Sequence, residues 1–297
     1  MRKILICSVL MFFAINCFAV QDAGIYGADF LTLDPGARSS AMAGAFVAMA
    51  DDINAIYFNP AGLVQLKENQ IVFTHIPYLC DINYEFVGYV YPGDGYALGI
   101  ALNYLYLSMD ATDLNGTNIG PVNATDAVYL FSFAKQFGKN LSSGVNIKII
   151  NSSIGSNLGQ SIAFDFGGLY QLPDLLFLKP RLGVVIQNMG RSIKLGQKED
   201  PLPLVIRAGL LLSPVPFLKC EVDINKMAEI YNFGIGAEYE LLSILSLRAG
   251  YKIGDEIEGL SAGFGICSSK KEGWQFDYAF VPTKLGVLHK FSLISRF

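Results

Sequence analysis

The stretch GARSSAMAGAFVAMADDINAIYFNPAGL, residues 36–63, decides the fold of this chain. Small residues dominate its first half, the pair Asp51-Asp52 interrupts it, and Asn59-Pro60-Ala61-Gly62 closes it. A free surface helix does not need so many small residues, but a helix wedged inside a barrel does, because small side chains allow backbones to approach closely. Pro60 fixes φ, lacks a donor and holds Asn59 extended, so the segment ends there. The stretch therefore predicts a small helical segment, a hatch, inside a β-barrel.

The residues before this stretch have the pattern of an export signal. Arg2 and Lys3 precede an apolar run from Ile4 to Ile15, which is too short to span a bilayer. Small residues follow at the positions expected for cleavage. We expect residues 1–19 to be a cleaved signal peptide and residues 20–69 to form the hatch. Lipidation at Cys17 is the less favoured alternative, because Asn16 is a poor residue to precede a lipidated cysteine.

Composition favours a membrane barrel. The chain is 52% hydrophobic and 16% charged with a mean hydropathy of +0.38, yet beyond the signal no run reaches the ~18 apolar residues of a spanning helix. A closed barrel solves this problem, because its strands pair all backbone groups with one another. A large soluble core is the alternative. The net charge of -4, without a basic stripe, argues against nucleic acid as a partner.

From residue 70 onward the hydrophobic pattern has a period of two. In 217–224, for example, Lys219, Glu221 and Asp223 alternate with apolar residues. Most of these segments reach the ~9–11 residues of a tilted membrane strand, whereas the average globular strand has only ~5–6. The prediction is all-β, a transmembrane antiparallel β-barrel of about fourteen strands over residues 70–297. The predicted strands are 70–77, 84–91, 95–107, 124–137, 141–152, 158–172, 179–188, 202–213, 217–224, 231–240, 244–253, 258–267, 273–281 and 288–297.

No constellation of residues indicates catalysis, a cofactor or a metal site. His75 and His289 lie in strand patterns without ligand-spaced partners, and Gly234-Ile235-Gly236 and Gly263-Phe264-Gly265 lie inside strands instead of at phosphate-binding turns. Three cysteines beyond the signal show no disulfide or zinc spacing. We therefore expect no enzyme activity and no cofactor.

The polar residues of the hatch need partners if the segment lies inside a lumen, because buried charges must be paired. We expect Arg38 and the Asp51-Asp52 pair to bind charged residues that face the lumen. The predicted hatch site comprises Arg38, Ser39, Asp51, Asp52, Asn54, Asn59, Pro60 and Gly62. The predicted lumen partners are Arg207, Arg248, Lys148, Glu221, Asp223, Asp277 and Arg181.

The last strand ends in the alternating pattern of Phe291, Leu293 and Phe297. A terminal phenylalanine on such a strand resembles the signal that the outer-membrane assembly machinery reads. Together with the export signal it predicts insertion into a bacterial outer membrane. Outer-membrane lipid and the assembly machinery are then the expected partners.

Both ends of the chain resemble the PorV/PorQ family, outer-membrane barrels related to the FadL fatty-acid transporters. Residues 36–63 resemble the hatch of that family, and Asp277–Pro282 (DYAFVP) with His289-Lys290-Phe291 resembles its closing hairpin. Residues 70–270 match only in strand pattern. The resemblance implies an accessory or shuttle of type IX secretion, which would bind cargo C-terminal domains and secretion-system subunits through Ser108–Asn123 and Met189–Pro201.

The alternative implied by the same resemblance is FadL-like uptake of a hydrophobic small molecule such as a long-chain fatty acid. Uptake requires an apolar pocket under the loops and a kinked strand, for which the glycine-rich strand 258–267 is a candidate. A second alternative is a soluble exported β-protein, because a soluble antiparallel sheet shows the same alternation.

Overall fold

The computed structural model describes residues 26–78, 81–112, 116–174, 178–241, 244–269 and 271–297. The predicted signal peptide, 1–19, and the first residues assigned to the hatch, 20–25, lie outside the described residues.

In the described residues, fourteen antiparallel strands close into one barrel, in which the first strand pairs with both the second and the last. The prediction of an all-β antiparallel barrel of about fourteen strands is thus confirmed. Two further short strands form a separate hairpin within one connection. The strands are β1 Gln70–Pro77, β2 Asn83–Pro92, β3 Tyr96–Thr112, β4 Asn118–Phe137, β5 Leu141–Ile154, β6 Asn157–Gln171, β7 Arg181–Gly190, β8 Ile193–Leu195, β9 Lys198–Asp200, β10 Val205–Val215, β11 Leu218–Met227, β12 Ile230–Leu241, β13 Leu245–Ile253, β14 Leu260–Cys267, β15 Gly273–Thr283 and β16 Gly286–Arg296.

The two-residue alternation separates an apolar outer face from the lumen. On β4, Tyr129, Phe131 and Phe133 are exposed on the outside, whereas Leu130 and Ser132 are buried inside. The other barrel strands repeat this arrangement, so the outer surface is an apolar band of the kind that contacts hydrocarbon in membrane barrels.

The barrel has two distinct ends. We call the end at which Asn69 and Phe297 pair their backbones the terminal end, and the opposite end the distal end. Exposed aromatic side chains surround the terminal end like the aromatic girdle at a membrane interface. They are Tyr91, Tyr96, Phe137, Tyr170, Phe217, Tyr239, Trp274 and Phe297.

One predicted loop is wrong. Ser108–Asn123 is mostly strand, because β3 continues to Thr112 and β4 begins at Asn118, paired residue by residue. Polar residues suggested a loop there, but strands that project beyond the bilayer no longer need an apolar face. The other predicted loop, Met189–Pro201, contains the β8–β9 hairpin, and Ile193 from this hairpin is buried against Phe30 and Leu31.

Strand pairing is irregular at several places, including β3–β4 after Ala111 and β10–β11 after Leu212. Between β6 and β7 the register shifts after Phe164, and Asn188 has a φ of 62°. Between β14 and β15, Ala262 pairs with Phe280 but the next pair is Glu258 with Thr283, so β14 carries one residue more than β15. This bulge lies in the glycine-rich stretch that the sequence suggested as a kink.

The N-terminal segment, residues 26–69, is made of short helical turns and lies inside the barrel. Its helices are α1 Ala37–Ser40 and α2 Ala55–Phe58, and its 3₁₀ turns are Asp29–Thr32 and Pro60–Gln65. None of the helices in the described residues is long and apolar enough to cross a membrane.

Glycines in the wall let this segment approach closely. A Cβ on Gly250 would lie 2.3 Å from the carbonyl carbon of Met42, and one on Gly183 would lie 2.4 Å from the Val47 oxygen. The wall and the segment therefore touch backbone to backbone, which explains why both are rich in small residues.

We expect Gly250→Ala to lower the free energy of unfolding by about 1–3 kcal/mol, the usual cost of forcing extra atoms into a packed interior. The matched control is Gly168→Ala, whose added Cβ would meet its nearest neighbour at an ordinary 3.5 Å. Urea unfolding of the refolded barrel in detergent, followed by circular dichroism, measures both. Equal stability of the two variants would contradict the backbone contact.

Candidate functional site

Asp34 organises the start of α1. Its carboxylate accepts hydrogen bonds from the Gly36 amide at 2.8 Å and from the hydroxyls of Ser39 and Ser40 at 2.8 and 2.7 Å. Lys290 from the wall donates to the Asp34 carbonyl and to the Ser40 hydroxyl, both at 2.7 Å. The start of α1 is thereby fixed to β16.

Two neighbouring carboxylates of β11 hold four consecutive backbone amides of the segment. Asp223 Oδ2 accepts from the amides of Phe46 and Val47 at 2.9 and 3.0 Å. Glu221 Oε1 and Oε2 accept from the amides of residues 48 and 49 at 2.6 and 2.8 Å. An irregular turn leaves these amides without helical partners, and the wall supplies the acceptors.

Arg38 is the centre of the ionic network. Its Nη1 lies 2.7 Å from Asp51 Oδ1 and 2.8 Å from Asp52 Oδ2, and its Nε and Nη2 bind the two oxygens of Glu238 at 2.7 Å each. One guanidinium therefore joins two parts of the segment to each other and to β12.

The network continues into the wall on both sides. Glu238 also accepts from Arg248 Nε at 2.7 Å, and Arg248 Nη1 binds Asp277 at 2.7 Å. Lys219 binds Asp51 Oδ2 at 2.6 Å. Every carboxylate of this cluster thus faces at least one cation, as buried charge requires.

The predicted lumen partners occupy the lumen but only some join the network. Arg248 and Asp277 reach Arg38 through Glu238, whereas Glu221 and Asp223 bind backbone amides instead. The other three bind elsewhere: Lys148 pairs with Asp165 at 2.9 Å, the Arg207 guanidinium lies over the rings of Tyr57 and Phe58, and Arg181 contacts Gln65 and the Met49 carbonyl.

Glu238 and Lys219, the wall residues that pair directly with Arg38 and Asp51, are absent from the predicted set. Both residues lie within predicted strands, 231–240 and 217–224. Which lumen-facing charge meets Arg38 depends on strand pairing around the barrel, which the sequence alone does not supply.

The charges around Asp51 control its ionisation. Burial favours the neutral acid, but the Arg38 and Lys219 cations outweigh burial and hold the pKa of the Asp51 carboxyl well below its usual range. Asp51 is therefore an anion throughout the physiological pH range, and its two ion pairs persist there.

The remaining predicted hatch residues lie in the same enclosed segment. Asn59 donates to the carbonyls of Val47 and Gly168 at 2.9 and 3.1 Å, and its Oδ1 accepts from the Ala61 amide next to Pro60. Gly62 approaches Ala50 so closely that a Cβ would lie 2.1 Å from the Ala50 oxygen. The buried side chain of Asn54 has no hydrogen-bond partner among the described residues.

The lumen is divided into an apolar and an ionic side. On the side of β1–β6, Ile53, Ile56 and Leu63 of the segment pack against apolar wall residues such as Phe86 and Val128. The Arg38 network and the amide-binding carboxylates lie on the side of β11–β15. Apolar packing dominates on the β1–β6 side, where Asn146 and Ser142 of β5 also donate hydrogen bonds to the carbonyls of Ile56 and Ala61. Directed charge pairing dominates on the β11–β15 side.

A cavity of about 250 Å³, here called the mouth cavity, opens at the distal end above the segment. It lies between residues 32–34 and the distal ends of β10–β16. Its lining mixes charged side chains with apolar ones, among them Phe58, Val205, Met227, Ile230, Ile257 and Val281. The bulge of β14 forms part of its wall through Glu258, Gly259 and Ser261.

The histidines and the terminal aromatic residues face outward. His75 Nδ1 lies 2.8 Å from Glu85 Oε1, and His289 Nδ1 lies 2.8 Å from the Tyr278 hydroxyl. Among the described residues no group of three or more His, Cys, Asp or Glu is arranged to hold a metal ion. The residues predicted as the insertion signal, Phe291, Leu293 and Phe297, are exposed on the outer surface.

Arg38→Ala is expected to lower the free energy of unfolding by about 3–5 kcal/mol, because it leaves Asp52 buried without its cation and takes from Glu238 one of the cations that it binds. Urea unfolding in detergent measures the effect. The control is Lys198→Ala, which removes an exposed pair with Asp200 and should change stability by less than about 0.5 kcal/mol. An Arg38→Ala barrel as stable as the control would disprove the central role of Arg38.

The stabilisation from Asp51 is expected to be full above pH about 4 and to fall at lower pH. A carboxyl whose folded pKa is depressed stabilises the fold above its unfolded pKa of about 3.9, and this contribution is lost as pH falls through the folded pKa. The stability difference between the natural chain and Asp51→Asn, followed from pH 7 to 2, should be constant at first and then shrink. A difference that already shrinks between pH 7 and 5 would contradict the assigned ion pairs.

Comparison with known proteins adds a family likeness in the first half of the chain. Residues 21–163 match a family described as an uncharacterised protein family, UPF0164. A UPF0164 protein of Treponema pallidum (strain Nichols) is 23% identical over 182 residues, which cover 55% of this chain and 44% of that protein. This chain thus spans less than half the length of that relative.

Solved structures share the fold over almost the whole barrel. The CymD monoaromatic hydrocarbon channel is 16% identical, with a TM-score of 0.67 over 89% of this chain and 98% of its own. The Ralstonia pickettii toluene transporter TbuX is 16% identical, with a TM-score of 0.65 over 90% and 99%. A Pseudomonas aeruginosa FadL homologue is 11% identical, with a TM-score of 0.61 over 88% and 98%. The PorV/PorQ part of the resemblance stays a prediction, and the chain has the fold of FadL-like outer-membrane barrels.

Proposed function

We propose that this protein is an outer-membrane barrel that admits a small hydrophobic molecule through the mouth cavity. This is the alternative that the sequence offered. Neither the described residues nor the comparisons favour the secretion role, and one of the two loops expected to bind cargo is mainly strand.

The apolar outer band, the aromatic girdle and the closed FadL-like barrel support an outer-membrane location. The terminal end would face the periplasm, because an exported chain reaches the membrane from that side and bacterial barrels of even strand number keep their short turns there. The mouth cavity would then open to the outside. The solved relatives are described as channels or transporters of toluene and monoaromatic hydrocarbons, and that description suggests the ligand class.

The observation that carries the proposal is the mouth cavity itself. Its volume of about 250 Å³ is slightly below the usual ~300–1,000 Å³ of small-molecule sites, so it would suit a small ligand. Apolar side chains reach it from the segment and from several elements of the wall, alongside charged and polar ones. A molecule of this size would be enclosed between the segment and β10–β16.

A ligand in the mouth cavity needs a way onward, because the segment fills the lumen beneath it. The bulge between β14 and β15 lies in the wall of the cavity. The regular pairing of backbone groups between the two strands is already interrupted there. Widening the wall there breaks fewer hydrogen bonds than at a regularly paired position. We therefore place the exit of the ligand at residues 258–261, with movement of the segment as the other route.

Blocking the cavity tests the function. Asn232 lies on the lumen side of β12 at the cavity, so Asn232→Trp should fill part of it. We expect cells of a host without its own hydrophobic channel to take up radiolabelled toluene or oleate when they carry this protein, and Asn232→Trp to reduce uptake to the level of empty cells.

Ile235→Trp is the matched control, because Ile235 faces outward on the same strand and should leave uptake unchanged. Surface expression of each variant is checked by its heat-modifiable gel mobility. Uptake that the natural protein does not raise above empty cells would refute the proposal. Equal loss in both tryptophan variants would refute the role of the mouth cavity.

A further inference from the structure

A second cavity, of about 310 Å³, lies at the terminal end of the barrel. It is bounded by residues 64–67, where the segment leaves the lumen, and by the terminal ends of β4, β5, β6 and β7. We call it the basic cavity. It is on the opposite side of the segment from the mouth cavity, and neither the proposed uptake step nor the comparisons assign it a role.

The lining of the basic cavity carries positive charge only. Lys67, Lys139 and Arg181 contribute three cations, and glutamine and asparagine side chains supply further hydrogen-bond donors. Among the described residues no carboxylate belongs to this lining, whereas Asp34, Asp255, Glu256 and Glu258 all line the mouth cavity. A concave surface with one sign of charge concentrates ions of the opposite sign.

Arg181 is the innermost of these cations and has only neutral partners among the described residues. Its Nε donates to Gln171 Oε1 at 3.1 Å, and its Nη1 donates to the Met49 carbonyl at 3.3 Å and to Gln65 Oε1. This differs from Arg38 and Arg248, each of which is held by carboxylates.

The nearby carboxylates are already used by other groups. Asp51 binds Arg38 and Lys219 through its two oxygens, and both oxygens of Glu221 accept from backbone amides. The positive charge of Arg181 is therefore compensated only at a distance. A guanidinium beside amides in a partly enclosed site is well suited to hold a planar or tetrahedral oxyanion.

We propose that the basic cavity binds a small carboxylate or phosphate anion, such as the headgroup of a single-chain amphiphile. Arg181 and Lys139 would hold the oxyanion. Val64, Leu141 and Leu169, which also line the cavity, would contact the adjoining methylene groups. This binding needs no passage of a ligand through the mouth cavity, so it stands or falls independently of the proposed uptake.

Isothermal titration of the purified full chain in nonionic detergent tests the site with three probes: octanoate, inorganic phosphate and 1-octanol. We expect at least one of the two anions to bind, with an affinity that falls as salt is raised, and 1-octanol not to bind at this site. Binding of octanoate but not phosphate identifies a carboxylate amphiphile as the ligand. Binding of phosphate identifies a phosphate group. Absence of binding by both anions overturns the proposal, as does 1-octanol binding as tightly as octanoate.

Variants locate the binding. Arg181→Gln and Lys139→Gln should each weaken the anion about tenfold, the effect of removing one charge-assisted hydrogen bond. Lys135→Gln is the control, because Lys135 lies near the same end of β4 but outside the cavity lining, with its ammonium over the exposed ring of Phe137. Arg181 also contacts the segment, so Arg181→Gln could prevent folding. Lys139 lies at an exposed turn, and Lys139→Gln therefore tests the site in a barrel whose folding it does not affect. Unchanged affinity in Lys139→Gln, or an equal loss in Lys135→Gln, overturns the proposal.

Discussion

The rest of the structure depends on one constraint: a charge placed inside the lumen must find its partner there, because the enclosed segment leaves little room for water. Arg38 meets this constraint by binding Asp51 and Asp52 of its own segment and Glu238 of the wall. The same side chain therefore folds the segment back on itself and sets its position in the barrel. Apolar packing alone does not select one position so narrowly, because dispersion depends little on direction.

The division of the lumen follows from this arrangement and bears on function. On the β1–β6 side the segment packs mainly in an apolar core and accepts two hydrogen bonds from β5, whereas on the β11–β15 side it is held mainly by hydrogen bonds and ion pairs. The mouth cavity lies over the ionic side. Beneath the mouth cavity, the hydrogen bonds and ion pairs of the segment can break and re-form individually, while apolar packing on the other side keeps the segment in place. A partial rearrangement of the segment under the cavity therefore costs less free energy than removal of the whole segment from the lumen.

The strands could be predicted from the sequence because an apolar outer face and a packed lumen enforce a strict alternation, as in 217–224. The pattern is lost at Ser108–Asn123, where strands extend past the apolar band and resemble a loop in sequence. Small residues and Arg38 marked the enclosed segment. They did not reveal Glu238, which is distant in sequence, or the carboxylates of β11 as acceptors for backbone amides. Those partners are decided by how strands are ordered around the barrel, information that no local pattern carries.

The two cavities differ in charge, and that difference bears on which ligand each of them can hold. The mouth cavity is lined by both acidic and basic side chains, so it attracts an anion only weakly. The charged side chains described in the lining of the basic cavity are all cations. A neutral hydrocarbon would be indifferent to the terminal end. An amphiphile with an acidic head would gain free energy beside Arg181 by whichever route it reached the terminal end. The two proposed sites therefore differ in the ligand that fits them: an uncharged hydrophobic molecule fits the mouth cavity, and an anionic head group fits the basic cavity.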